Sequence, residues 1–205
     1  MTDIKTLTDL QYDALKEVGN IGIGNATTSL SQMVNKKIDI SFPDLKLIPL
    51  IKVPILVKNA APVVGIIQQL KGDSKGFLVL LLSKDSAKFL VKLVLGQVED
   101  GATFNEMEQS ALKELGNIMN GTYISSLSNF LGISLGLLPP SHVHDMSDAI
   151  INQIVSMMSL DVEDVLFMKT EFTVNSEKIE GKIMIFTDSV SLSKILSAVN
   201  RLLGK

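Results

Sequence analysis

The chain has 205 residues, a formal net charge of -3, 46% hydrophobic and 20% charged residues, and no cysteine. This is a globular composition, and it excludes disulfides, thiolate catalysis and cysteine-based zinc sites. Scattered lysines and arginines leave no nucleic-acid footprint, no apolar run approaches the roughly 20 residues of a membrane helix, and the first residues lack a signal-peptide pattern, so a soluble cytoplasmic protein is expected.

In chain order, Thr8-Asp9-Leu10-Gln11 is a capping-box sequence, and helical periodicity extends the predicted helix from there to about Val34. Residues 37–42 alternate as a strand that Pro43 should end. Pro49 and Pro54 make 45–58 an irregular or partly helical crossover. The apolar runs 63–70 and 76–82, joined by Lys71-Gly72-Asp73-Ser74-Lys75, read as a hairpin, and 84–95 as a helix stopped by Gly96. Residues 97–103 read as a hinge. The order then repeats: a second capped helix from Asn105, a strand at 132–138 ending at Pro139-Pro140, a helical segment at 145–158, a hairpin of 165–174 with 178–186, and a helix at 189–203. The expected fold is α+β, a single domain over 1–205 built of two homologous halves (about 8–96 and 105–204). These should have pseudo-two-fold symmetry and about six largely antiparallel strands flanked by helices.

The repetition extends to individual residues. Between 13–31 and 110–128, 97 residues apart, 11 of 19 positions are identical. Asp13, Glu17, Asn20 and Gly24 fall at i, i+4, i+7 and i+11, within one stripe of a helix, and Ser110, Glu114, Asn117 and Gly121 do the same. The opposite faces, Leu15, Val18, Gly22, Ala26, Ser29, Met33 and Leu112, Leu115, Met119, Tyr123, Ser126, Phe130, should be buried. The Glu/Asn stripes then point to solvent, where packing gives no reason to keep the same pair twice. Helical glycines cost roughly 1 kcal/mol each against alanine. Gly22 lies on the predicted buried face, whereas Gly24 and Gly121 beside the asparagines would leave room for a partner group.

A surface Glu with an Asn three residues on has no nucleophile. Its amide can hold a water against an electrophile already activated to leave, and its carboxylate can pair with a partner's lysine. That combination suits hydrolysis of an acyl phosphate on another protein, where positioning does most of the work. Asp13-x3-Glu17-x2-Asn20 followed by Pro43, and Ser110-x3-Glu114-x2-Asn117 followed by Pro139, resemble the signature of the CheC/CheX/FliY family of chemotaxis phosphatases. Two motifs in a short chain resemble the CheC type most. The resemblance implies dephosphorylation of the response regulator CheY, with Asn20 and Asn117 positioning water and Glu17 and Glu114 contacting the regulator's lysine. It implies Mg²⁺ held by the regulator and the receptor deamidase CheD as a second partner. With no cysteine cluster, dense carboxylate site or phosphate loop, no cofactor of the protein's own is expected, and a monomer is expected.

The competing readings are plainer. The Glu/Asn pairs could be two solvated positions inherited by duplication, and the protein could be a non-catalytic binding module, like the related middle domain of FliM, acting through CheD or motor proteins. Gly22-Ile23-Gly24 lacks the rest of a phosphate loop. His142 and His144 beside Asp145 have no further metal ligand in sequence and read as loop.

Overall fold

The computed structural model describes residues 7–99, 101, 103–158, 162–174 and 177–204, with backbone alone for 42–44 and 177. Two 26-residue helices, α1 (Asp9–Val34) and α4 (Glu106–Leu131), pack against each other. Both open with capping boxes: the Thr8 hydroxyl accepts from Gln11 N and the Asn105 side chain accepts from Glu108 N, each answered by the residue at the third helical position. Both end in a left-handed residue, Asn35 (φ 51°) and Gly132 (φ 63°).

The strands are β1 (Ile38–Pro49), β2 (Val63–Gly72), β3 (Gly76–Ser83), β4 (Leu135–Leu137), β5 (Ser141–Asp145), β6 (Asp164–Val174) and β7 (Glu177–Thr187). They form one antiparallel sheet in the order β1-β6-β7-β3-β2-β4, with β5 also on β2. The order reads the same from either edge. Each half's first strand pairs with the other half's hairpin, and the two hairpins meet at β3 and β7, which is the expected two-fold relation. Seven strands stand where about six were expected, because the second half's first strand is broken into β4 and β5.

Alternation along the strands divides the interior in two. Leu78, Leu80 and Leu82 of β3, with Ile183 and Ile185 of β7, face α1, α4, α3 (Lys84–Leu95) and α6 (Ser189–Leu202). Val79 and Leu81, with Met184 and Phe186, face α2 (Val53–Val57) and α5 (Ser147–Met157). Both sheet faces are covered by helices, so the central strands carry unbroken apolar runs in place of an apolar/polar alternation. Gly22 is where the long helices touch: a Cβ there would stand 3.0 Å from Tyr123 Cα.

Several elements depart from the sequence expectation. Pro43 does not end the first strand. It lies in a bulge between Ser41 and Asp44 of edge strand β1, where the ladder asks for no N–H, and pairing resumes to Pro49. The crossover is therefore shorter than expected, a 3₁₀ turn at Leu50–Lys52 leading into α2. His142 and His144 lie in strand β5 on β2, not in a loop. Met33 is 36% exposed, off the buried face. Of the expected hinge, residues 100 and 102 lie outside the described residues.

One buried ion pair joins α3, the connection and α4. Lys88 Nζ lies 3.1 and 3.0 Å from the two Glu108 carboxylate oxygens, which also accept from Glu99 N and Asn105 N, and the ammonium sits 4.6 Å from the Phe104 ring centre. Burial pushes the Glu108 pKa up, but the hydrogen bonds from Glu99 N, Lys88 and Asn105 N outweigh it and hold it below the ordinary glutamate value. A lowered folded pKa gives stability that is present at neutral pH and is lost as pH falls through it. Glu108→Gln is expected to lower stability at pH 7 by on the order of 3 kcal/mol, since Lys88 is left half-paired. It should also flatten the acid limb of a urea-unfolding series run from pH 7 to pH 3.

Candidate functional site

The helical phase sets what α1 and α4 present. Leu15, Val18, Leu112 and Leu115 are buried at 3% exposure or less, while Asp13, Glu17, Asn20, Ser110, Glu114 and Asn117 are all exposed. The stripe expected on each helix is therefore on the surface, on two helices that start from matching caps. Among the described residues nothing outside the helix itself lies within 4 Å of a Cβ placed on Gly24 or Gly121, so each asparagine has open space one turn further along its helix.

The two asparagines differ in their support. Among the described residues the Asn20 amide has no hydrogen bond, whereas Asn117 Oδ1 accepts from Gln68 Nε2 at 3.1 Å. Gln68, on β2, also donates to the Leu138 carbonyl at 3.2 Å and accepts from Asn120 Nδ2 at 2.9 Å. Leu138 N in turn donates to Gln69 O at 2.9 Å, so the connection that carries Pro139 and Pro140 is fastened to the strand behind the site. By the 97-residue offset Pro43 corresponds to Pro140, and both sit where the first strand shifts register. Gln68 and Asn120 were not among the residues singled out in the sequence.

Among the described residues no group of three or more His, Asp or Glu could hold a metal, and no helix is long and apolar enough to cross a membrane. The two histidines are edge-on to Phe104, with ring centres 5.6 and 5.4 Å away. Burial first, then neighbouring positive charge, keeps the pKa of both imidazoles below the ordinary value. They belong to the packing over the Lys88–Glu108 pair.

A paired antiparallel sheet carrying two long helices, each with an exposed Glu and an Asn three residues on, defines a two-motif α+β protein. The CheC-like family model matches twice, at residues 10–47 and 107–144. Over 196 residues the chain is 30% identical to the CheY-P phosphatase CheC of Bacillus subtilis, covering 92% of this chain and 93% of that one. The solved structure of Thermotoga maritima FliY matches with a TM-score of 0.78 and 25% identity, over 95% of this chain and 98% of that one. A chain of the CheX-CheY-BeF3-Mg complex of Borrelia burgdorferi, at TM-score 0.51 and 16% identity over 82% and 96%, shares the fold. The chain belongs to the CheC-like family.

Proposed function

We propose that this protein hydrolyses the aspartyl phosphate of a CheY-type response regulator, at two similar sites. The observation that carries the reading is the exposed Glu/Asn pair presented twice, by Glu17 with Asn20 and by Glu114 with Asn117, on helices of matching start and length. The Bacillus subtilis relative, named a CheY-P phosphatase, supports it. An aspartyl phosphate is an activated acyl phosphate whose phosphoryl group leaves through a loose transition state, so a positioned water suffices and no protein nucleophile is needed. Each Asn amide holds that water in line with the phosphorus–oxygen bond. Water oxygen bonds to phosphorus, the bond to the aspartyl oxygen breaks, and inorganic phosphate leaves with the aspartate restored.

Glu17 and Glu114 contact the regulator's lysine, and the Mg²⁺ at the phosphoryl group belongs to the regulator. The protein acts in the cytoplasm as a monomer, with CheD as a second partner. Release of inorganic phosphate from the phosphorylated regulator, with and without the purified protein, tests the reading. Acceleration that chelation of divalent metal removes supports it, and an unchanged decay rate turns it toward a binding module. Glu17→Ala with Glu114→Ala should raise KM more than it lowers kcat, since a charge contact that orients the partner acts mainly on engagement.

A further inference from the structure

We infer that Gln68 is the positioning residue of the second site and that the first site is built without one, so the two sites are unequal. The activity readout rests on the phosphatase reading above; the structural argument does not.

Gln68 interrupts an apolar strand and is 1% exposed. A buried amide must find partners for its two donors and its acceptor. Here it finds all three: Asn117 Oδ1 and Leu138 O accept, and Asn120 Nδ2 donates. An exposed asparagine on a helix ordinarily samples several rotamers. Anchoring its carbonyl to a buried group leaves Asn117 one orientation, with both Nδ2 hydrogens and a second Oδ1 lone pair turned to whatever meets the surface.

Sheet register identifies the counterpart in the first site. Ser141 pairs with Ile67, and Asp44, 97 positions before Ser141, pairs with Lys169; Leu135 pairs with Gly72, and Ile38 with Val174. Both comparisons offset β2 from β6 by 102 residues, which places Thr170 where Gln68 stands. The counterpart of Asn120 is Ile23. Thr170 is fully buried and its hydroxyl has no partner among the described residues, too short to reach a surface asparagine, and Ile23 offers no amide. The clamp is therefore present on one side alone.

Stability does not account for it. Asn120 is fully buried and its Oδ1 has no partner among the described residues, so the network leaves a polar atom unsatisfied that leucines at both positions would not. A polar cluster kept against the interest of the core, with its one exposed end at a site residue, points to orientation of that residue.

The test isolates each site. Gln68→Leu is placed in a chain carrying Asn20→Ala, where the second site works alone, and in one carrying Asn117→Ala, where the first does. With misplacement by about 1 Å able to cost up to 10²-fold, kcat is expected to fall about tenfold or more in the first chain with KM little changed. In the second chain the loss should be under about twofold. Equal losses in both chains overturn the inference, as does no loss in the first. A Gln68→Leu, Asn120→Leu chain, which leaves no buried amide unpaired, should melt no lower than the parent and show the same site-specific loss. A readout free of catalysis is the side-chain ¹⁵N order parameter, expected to be higher for Asn117 than for Asn20 and to drop to the Asn20 level in Gln68→Leu. Should the parent fail to accelerate phosphate release, the phosphatase reading fails, and the order parameters alone decide on the clamp.

Discussion

Replacing both asparagines, Asn20→Ala with Asn117→Ala, is expected to reduce phosphate release from the phosphorylated regulator by on the order of 10²–10³-fold, the usual cost of removing an oriented polar group that acts in the transition state. Each single variant should retain activity, because each pair stands on its own helix with its own cap and neither amide contacts the other motif. Retention should be unequal. The chain that keeps the clamped Asn117 should outperform the chain that keeps Asn20. Both side chains are exposed, so circular dichroism should match the parent. Asn20→Ala should leave the melting temperature unchanged, whereas Asn117→Ala removes an acceptor of the buried Gln68 amide and should lower it by a few degrees. A folded double variant with parental activity would remove the asparagines from the mechanism and leave the protein as a binding module.

The parts of the fold governed by local chemistry were legible in the sequence. Thr8 with Gln11 and Asn105 with Glu108 both form the reciprocal bonds their spacing implies, and Gly96 ends α3 in the left-handed conformation at φ 76°. Glu17, Asn20, Glu114 and Asn117 were placed on the surface by helical phase alone. Features set by pairing between distant segments were not legible. Pro43 reads as a strand end only while its neighbours are unknown; on an edge strand, at a bulge, its missing N–H has no consequence. Gln68 lies 49 residues before Asn117, and periodicity cannot join them. A signal did exist: an amide in a run destined for burial on both sheet faces requires a partner, and the 63–70 run contains two, Gln68 and Gln69, of which the fold buries only the first. The uneven support of the two sites is likewise hidden, because it rests on the register that sets Thr170 opposite the first site.

Gly24 and Gly121 are expected to trade stability for access. Interior packing accounts for two other helical glycines: a Cβ on Gly22 would meet the Tyr123 backbone at 3.0 Å, and one on Gly116 would meet Ile66 Cγ2 at 2.5 Å. Among the described residues, a Cβ on Gly24 or Gly121 would meet nothing outside its own helix within 4 Å. Each nevertheless costs its helix about 1 kcal/mol against alanine, and each lies one turn from a site asparagine. If the cost is offset outside the molecule, the regulator's surface must approach the helix backbone there. Gly24→Ala with Gly121→Ala should therefore raise the melting temperature, by about 2–4 °C per kcal/mol for a chain of this size. Leucine at the same two positions should keep most of that gain while obstructing the partner. A clash of about 1–3 kcal/mol corresponds to a rise in KM of roughly fivefold to 150-fold, with kcat less affected. Thermal melts and steady-state phosphate release on the alanine and leucine pairs separate the two effects. A leucine pair that is more stable and equally active would show that both positions stay clear of the regulator, and would move the docking surface to the other side of the Glu/Asn stripe.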